Sequence, residues 1–234
     1  MECIGFSTGS IAWSDARAAL ALLFGHQTDA IELSALRIHE LGPLVADFPT
    51  LPLDGYHYIS VHAPSAFPRA KEREVARALR PVAERGWQVV VHPDTLHDAG
   101  VWAEFGSTLC VENMDRRKPI GRTAAEMHAV FERLPEASFC LDLAHARQCD
   151  PSMRETVRML HDFGERITQV HLSELNEQSR HVRLSEAAAD DFERVAPLIP
   201  PHVPVIIESP VQSFEISTEL EICLRAIGRL PVYA

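Results

Sequence analysis

Eight short apolar runs, separated by amphipathic stretches along the whole chain, limit what this sequence can fold into. The runs are 3–7, 30–33, 58–62, 88–92, 108–112, 138–142, 167–172 and 203–208, and each is expected to be a strand. Between them, 15–24, 69–85, 123–134, 153–163, 190–198 and 218–229 repeat apolar residues three and four apart. That spacing lays one face of a helix against a core. Ser14-Asp15, Thr123 with Glu126 three residues on, and Ser217 ahead of an acidic turn supply helix starts. Strands that are each followed by a helix build a parallel sheet with helices outside it.

Eight such units in 234 residues average about 29 residues, enough for a strand, a helix and two tight connections. The expected fold is therefore α/β, a single (β/α)8 TIM barrel with short loops over residues 1–234. An open doubly wound sheet uses the same alternation. Its dinucleotide-binding form needs a Gly-rich turn after the first strand, and Ser7-Thr8-Gly9-Ser10 offers one glycine. The polar stretch Glu174 to Arg180 is the nearest thing to a boundary and reads as a barrel loop.

Seven of the eight runs close on a carboxylate or an imidazole: Glu32, His62, His92, Glu112, Asp142, His171 and Glu208. In a barrel of parallel strands those ends share one rim, where such enzymes hold their catalytic groups. Two residues earlier stand Ser60, Val90, Cys110, Cys140 and Ile206, which would fill the barrel below the polar layer. Four carboxylates at a half-enclosed rim repel one another and lose solvation, a cost that protons or bound cations offset. A divalent metal is the economical reading. Nitrogen and oxygen ligands without thiolates suit Zn, Mn, Co or Fe. His145, three residues after Asp142, and His181, ten after His171, can reach the same rim.

Glu32, Arg116, Arg117 and Arg180 are the candidate substrate-binding residues, although Glu32 reads equally well as a strand-end charge paired with an arginine. The triplet Arg116-Arg117-Lys118 follows Glu112 on a rim loop and could hold an anionic substrate. The loops after the seventh and eighth runs contain no glycine to cradle a phosphate. The histidines His26, His39, His97, His128, His161 and His202 fall on helices or loops and are expected at the surface.

A net charge of -11 is the wrong sign for gripping nucleic acid, so the expected partner is a small molecule. No run approaches the roughly 18 apolar residues of a membrane span, and the N-terminus lacks a signal-peptide pattern; a soluble cytoplasmic protein is expected. The five cysteines are odd in number and form no CxxC pair, so they are expected to be reduced and buried. Cys149 is the one expected on a loop. Nothing in the sequence fixes an oligomeric state.

The segments Ser60-Val61-His62-Ala63-Pro64, Val90-Val91-His92-Pro93, Leu109-Cys110-Val111-Glu112-Asn113-Met114, Leu141-Asp142-Leu143-Ala144-His145, Val170-His171-Leu172, Arg180-His181-Val182 and Ile207-Glu208 carry a resemblance. Over nearly its whole length the chain resembles the xylose isomerase-like barrel superfamily, which includes sugar phosphate isomerases and epimerases and the endonuclease IV repair enzymes. The epimerase-like members imply Glu112, Asp142, His171 and Glu208 around one divalent metal. Glu112 and Glu208 would then move a proton, and His145 would stabilise an oxygen or relay a proton. The leading expectation is isomerisation or epimerisation of a small carbohydrate-like molecule.

The endonuclease IV-like members imply a zinc cluster held by His62, His92, Glu112, Asp142, His145, His171, His181 and Glu208, all present here. The chain departs from them at Ser179, where that family carries Asp, so a complete three-metal site is not implied. It departs from the epimerases at Glu174 and at Ser185-Glu186, where Asp and Gly-rich residues are common. One to three divalent ions are expected. Phosphoester hydrolysis at several zinc ions is the alternative reaction, and oxidative chemistry at iron the third.

Overall fold

In the computed structural model, which describes residues 3–229, each of the eight apolar runs forms a strand displaced by at most two residues from its expected ends. The barrel strands are β1 (Ile4–Ser7), β2 (Ala30–Ser34), β3 (Tyr58–His62), β4 (Gln88–Val91), β5 (Leu109–Glu112), β6 (Ser138–Asp142) and β7 (Ile167–Leu172). A small antiparallel pair, β8 (Glu174–Leu175) and β9 (His181–Val182), precedes the last barrel strand, β10 (Val205–Ile207). The barrel runs in chain order from β1 to β7, then β10, which pairs with β1; every pairing is parallel. This is the expected (β/α)8 barrel. The single domain expected over 1–234 includes residues 1–2 and 230–234, which lie outside the described residues.

The helices are α1 (Thr8–Ala12), α2 (Ala16–Leu23), α3 (Ile38–Asp47), α4 (Glu72–Ala83), α5 (Ala99–Trp102), α6 (Ala124–Arg133), α7 (Leu143–Cys149), α8 (Arg154–Phe163), α9 (Glu186–Val195) and α10 (Ile216–Ala226). Two expected starts hold. Asp15 accepts from the backbone N–H of Ala18 at the head of α2, and Thr123 from that of Glu126 at the head of α6. Ser217 is not a cap, because Gln212 and Glu215 form a capping box one turn earlier and α10 is already under way at Ser217. The helix expected over 190–198 starts earlier too, at Glu186, with Ser185 as its N-cap.

The stretch from Glu174 to Arg180 is a hairpin rather than a plain loop. Asn176 and Arg180 share a backbone bond across its turn, and Glu174 accepts from the N–H of Ser185 and pairs with Arg147. Cys149 ends α7 instead of lying on a loop; its thiol donates to the Met114 carbonyl, and burial pushes its pKa to about 11. A thiol so placed is not an activated nucleophile. Among the described residues no helix is long and apolar enough to cross a membrane.

The apolar residues divide into two groups. One large cluster packs the helices on the outside of the sheet, with Phe6, Leu33, Val61 and Val91 among its strand members. A small separate cluster, Val90, Cys110 and Cys140, fills part of the barrel beneath the polar rim. Gly5 marks the tightest seam. A Cβ there would lie 1.6 Å from the carbonyl oxygen of Ala30, its partner on β2, so only glycine lets the two strands approach.

Candidate metal centre

The barrel's parallel register brings the strand-end side chains to one place. His62 and Glu112 are the last residues of β3 and β5, Asp142 the last of β6, and His171 the penultimate residue of β7. His92 and Glu208 directly follow β4 and β10. Two donor sets result, each with its ligand atoms within 4.8 Å of one another: His62, His92 and Glu112, and Glu112, Asp142, His171 and Glu208. Glu112 belongs to both. Its Oε2 lies 3.2 Å from His62 Nε2 and 3.3 Å from His92 Nε2, while its Oε1 lies 3.2 Å from His171 Nδ1 and 3.3 Å from His145 Nδ1.

The backbone aims the imidazoles. His62 Nδ1 is 2.7 Å from the Ala63 carbonyl and His92 Nδ1 is 3.2 Å from that of Ser65, so each donates there and turns Nε2 inward. Asp142 is also the N-cap of α7 and accepts from the His145 N–H at 2.6 Å, which ties the end of β6 to that histidine. Asn113 braces the pair. Its side-chain amide exchanges two bonds with the Asp142 backbone, and its carbonyl lies 2.9 Å from His145 Nδ1. His181, on the hairpin, has Nδ1 2.8 Å from Ser173 Oγ and 3.6 Å from Glu208 Oε2. Ser179, two residues before His181, is turned to Gln148 and donates to its Oε1.

These groups perturb one another strongly. Burial alone would lower the His62 pKa, but the hydrogen bond to Glu112 and the charges of Glu32 and Glu112 raise it to about 9. For His145 burial is overcome by the Asp142 charge and the Glu112 bond, which give about 10. Burial, reinforced by the charges of Glu112 and Glu208, lifts Asp142 to about 7. Glu112 goes the other way: despite burial, the His171 charge and bonds from three imidazoles hold it well below the carboxylate range. Burial and the His145 charge lower His181 to about 4.

The donor set fits a divalent metal. Asp142 Oδ2 and Glu208 Oε2 are buried without a hydrogen-bonded partner, a state that costs on the order of 1–3 kcal/mol or more per group unless something binds there. Imidazole nitrogens and carboxylate oxygens without thiolate suit Zn, Mn, Co or Fe.

The centre floors a cleft of about 890 Å³. Arg117, Lys118 and Arg180 line it, and Trp13, Leu36 and Pro210 are among its apolar lining. Arg117 is held by Asp115 through a bidentate pair, and Lys118 by Asp94 at 2.9 Å. Trp13 is 85% exposed, and it and Ser14 both take left-handed backbone angles, φ 52° and 72°.

Two expected substrate contacts lie elsewhere. Arg116 lines a separate hollow of about 280 Å³ beside Arg147, where it donates to the Glu177 carbonyl. Glu32 is wholly buried and does not line the cleft, because β2 continues two residues further, to Ser34, which pairs in register with His62. Glu32 therefore sits one layer down, opposite Ser60, and its partner is His171 rather than an arginine.

Asn113, Gln169, Asp115 and Trp13 belong to the site without having been singled out as site residues by the sequence. The only available signal for Gln169 was its place two residues before His171 on the same strand. The six histidines expected at the surface carry no part of the centre: His39, His97, His128, His161 and His202 are exposed, and His26 is partly so.

No family model matches the chain, and no curated protein matches it in sequence. Solved structures do match. An IolI protein with a bound zinc atom is 14% identical, with a TM-score of 0.64 over 99% of this chain and 100% of that one. Endonuclease IV from Thermus thermophilus is 18% identical, with a TM-score of 0.61 over 97% of this chain and 100% of its own. A xylose isomerase-like TIM barrel protein from Mycobacterium smegmatis, in complex with magnesium, is 13% identical, with a TM-score of 0.58 over 94% and 89%. The likeness is one of fold, and that fold is the one the sequence resemblance implied.

Proposed function

We propose that this chain is a metal-dependent enzyme that hydrolyses a phosphoester of a small molecule at a two-ion centre. The carrying observation is Glu112, whose two oxygens face different donor sets, His62 with His92 on one side and Asp142, His171 and Glu208 on the other. His62, His92 and Glu112 would hold one divalent ion and Glu112, Asp142, His171 and Glu208 a second, which would supply Lewis acidity toward a phosphoryl oxygen and an acidified water. Arg117, Lys118 and Arg180 bind the remaining phosphoryl oxygens from the cleft wall. His145, which lines the cleft with its Nδ1 bonded to the Asn113 carbonyl, is placed to pass a proton to the leaving oxygen from Nε2. The organic part of the substrate rests on the Trp13 side. A chain of net charge -11 disfavours long nucleic acids and leaves a small, mobile ester as the substrate.

Isomerisation by proton transfer, the leading expectation from sequence, is supported by the self-sufficient set of Glu112, Asp142, His171 and Glu208. Glu208, raised by burial, suits a proton acceptor. Glu112 does not: three imidazoles hold its charge, which makes it a weak base.

Metal per chain, measured by elemental analysis of protein purified without chelator, separates the readings. Hydrolysis predicts two ions, falling to one in His62→Ala with loss of turnover of p-nitrophenyl phosphate mono- and diesters. A single ion that survives His62→Ala, with solvent deuterium entering a ketose or aldose, would establish isomerisation instead.

A further inference from the structure

Beneath the donor sets lies a buried polar group that the proposed reaction does not use. Glu32 is 0% exposed, and its Oε2 accepts from Gln169 Nε2 at 2.7 Å, His171 Nε2 at 3.0 Å and Ser60 Oγ at 3.3 Å. Gln169 is itself fixed, its Oε1 accepting from Tyr58 Oη at 2.7 Å. A carboxylate this deep is costly to desolvate, and filling the space needs no charge.

From this arrangement we infer that Glu32 is a positioning residue of the metal centre, holding His171 by Nε2 so that Nδ1 faces the ion. The inference rests on the metal-centre reading and names the residue that fixes one of its ligands. His171 stands between two groups of carboxylates. On the Nε2 side is Glu32; on the Nδ1 side are Glu112 at 3.2 Å, Glu208 at 3.4 Å and Asp142 at 4.0 Å. Only Nδ1 points into the donor set, so the ring ligates only while its other nitrogen carries the proton.

Gln169 makes that condition depend on Glu32. Its Nε2 lies 2.5 Å from His171 Nε2, close enough to donate into the ring. With Glu32 present, one carboxylate oxygen lies 2.7 Å from Gln169 Nε2 and 3.0 Å from His171 Nε2 and can accept from both. Without it, the amide donates to His171 Nε2 and drives the ring proton to Nδ1, the position the metal needs. His62 and His92 are oriented differently, through backbone carbonyls and by Nδ1, so loss of Glu32 removes a hydrogen-bond partner at one ion and at the other only the influence of its charge on His62. A carboxylate partner also makes an imidazole a more basic ligand than a carbonyl does, and removing such a partner typically weakens metal binding about 10–100-fold.

The test compares wild type, Glu32→Gln and Glu32→Asp, each stripped and titrated with Zn2+ and Co2+ against a chromophoric chelator. Expected in Glu32→Gln is one site weakened about 10–100-fold and a second within about twofold of wild type, with an altered Co2+ visible spectrum. Glu32→Asp should recover part of the loss. Zinc-loaded wild type labelled with 15N-histidine needs no variant: the His171 ring should show its proton on Nε2 and the metal on Nδ1. A proton on Nδ1, or equal affinities and spectra in wild type and Glu32→Gln, overturns this inference alone. A wild type that takes up neither metal overturns the metal-centre reading and this inference with it.

Discussion

Two imidazoles of the metal-free centre, His62 and His145, keep their protons well above the ordinary histidine range, and this fixes the sign of two pH dependences. His62 and His145 sit at about 9 and 10 in the folded chain against 6.5 for an ordinary histidine. Below about pH 6.5 both folded and unfolded states bind these protons, and the full stabilisation is present. Above it the unfolded state has released them, so stability falls as the pH rises through 9 to 10. Asp142 acts in the same direction, since a carboxyl raised from 3.8 to about 7 also keeps a proton that the unfolded chain loses. Urea unfolding of chelator-treated protein should therefore show a lower midpoint at about pH 9 than at about pH 6.5. Zn2+ affinity should climb over the same interval, by up to about tenfold per pH unit for each proton displaced. A metal-free midpoint that rises with pH would contradict the protonated cluster. Most of the residues involved are legible in the sequence because residue type and strand-end position coincide. Glu32 is misplaced by one layer because β2 outruns its apolar run, and Asn113 and Gln169 leave no charge signal, acting only through cross-strand register.

Two glycines make opposite predictions for the elements that carry the site. Gly5→Ala forces a methyl group into the Ala30 carbonyl and must part β1 from β2, at a cost of about 3 kcal/mol or more. For a chain of this size that is a fall in Tm of about 6–12 °C. Gly42, inside α3, has nothing within 4 Å of the place a Cβ would occupy, and Gly42→Ala should stabilise by about 0.5–1 kcal/mol. Calorimetry on the pair tests the seam: similar Tm values for the two variants would mean that β1 and β2 are not in close contact. Gly42 with Pro43 also explains why α3 does not read as a helix in the sequence, both being poor formers set in its middle. α1 and α7 escape for another reason. They are short and begin directly after the last residue of a strand, so the period-two and helical patterns overlap. The turn after α1 supplies a third case. Trp13 takes a left-handed angle that glycine adopts freely, and Trp13→Gly should hold or slightly raise stability while removing an aromatic wall of the cleft. A large loss of stability in Trp13→Gly would instead make the indole a structural anchor.

At the scale of the whole barrel, the donors come from or directly after six different strands, so a bound ion joins segments far apart in sequence. An unfolded chain cannot gather these donors, and metal binding therefore appears as folding stability. At a free metal concentration about 100 times Kd, one site adds about 2.7 kcal/mol. That corresponds to about 5–11 °C in Tm for a chain of this length, and two independent sites should add up to about twice as much. The shared residue Glu112 makes the sites neighbours, so the second increment is expected to fall short of full additivity. Melting curves of chelator-treated wild type and His62→Ala, with and without Zn2+, resolve the two contributions. Wild type should gain more than His62→Ala, which keeps the set of Glu112, Asp142, His171 and Glu208 and should still gain one site's worth. Equal gains would reduce the centre to one ion and favour proton transfer over hydrolysis. No gain in either protein would mean that the crowded carboxylates are neutralised by the protons of His62, His145 and His171 alone, with Asp142 held partly protonated at neutral pH.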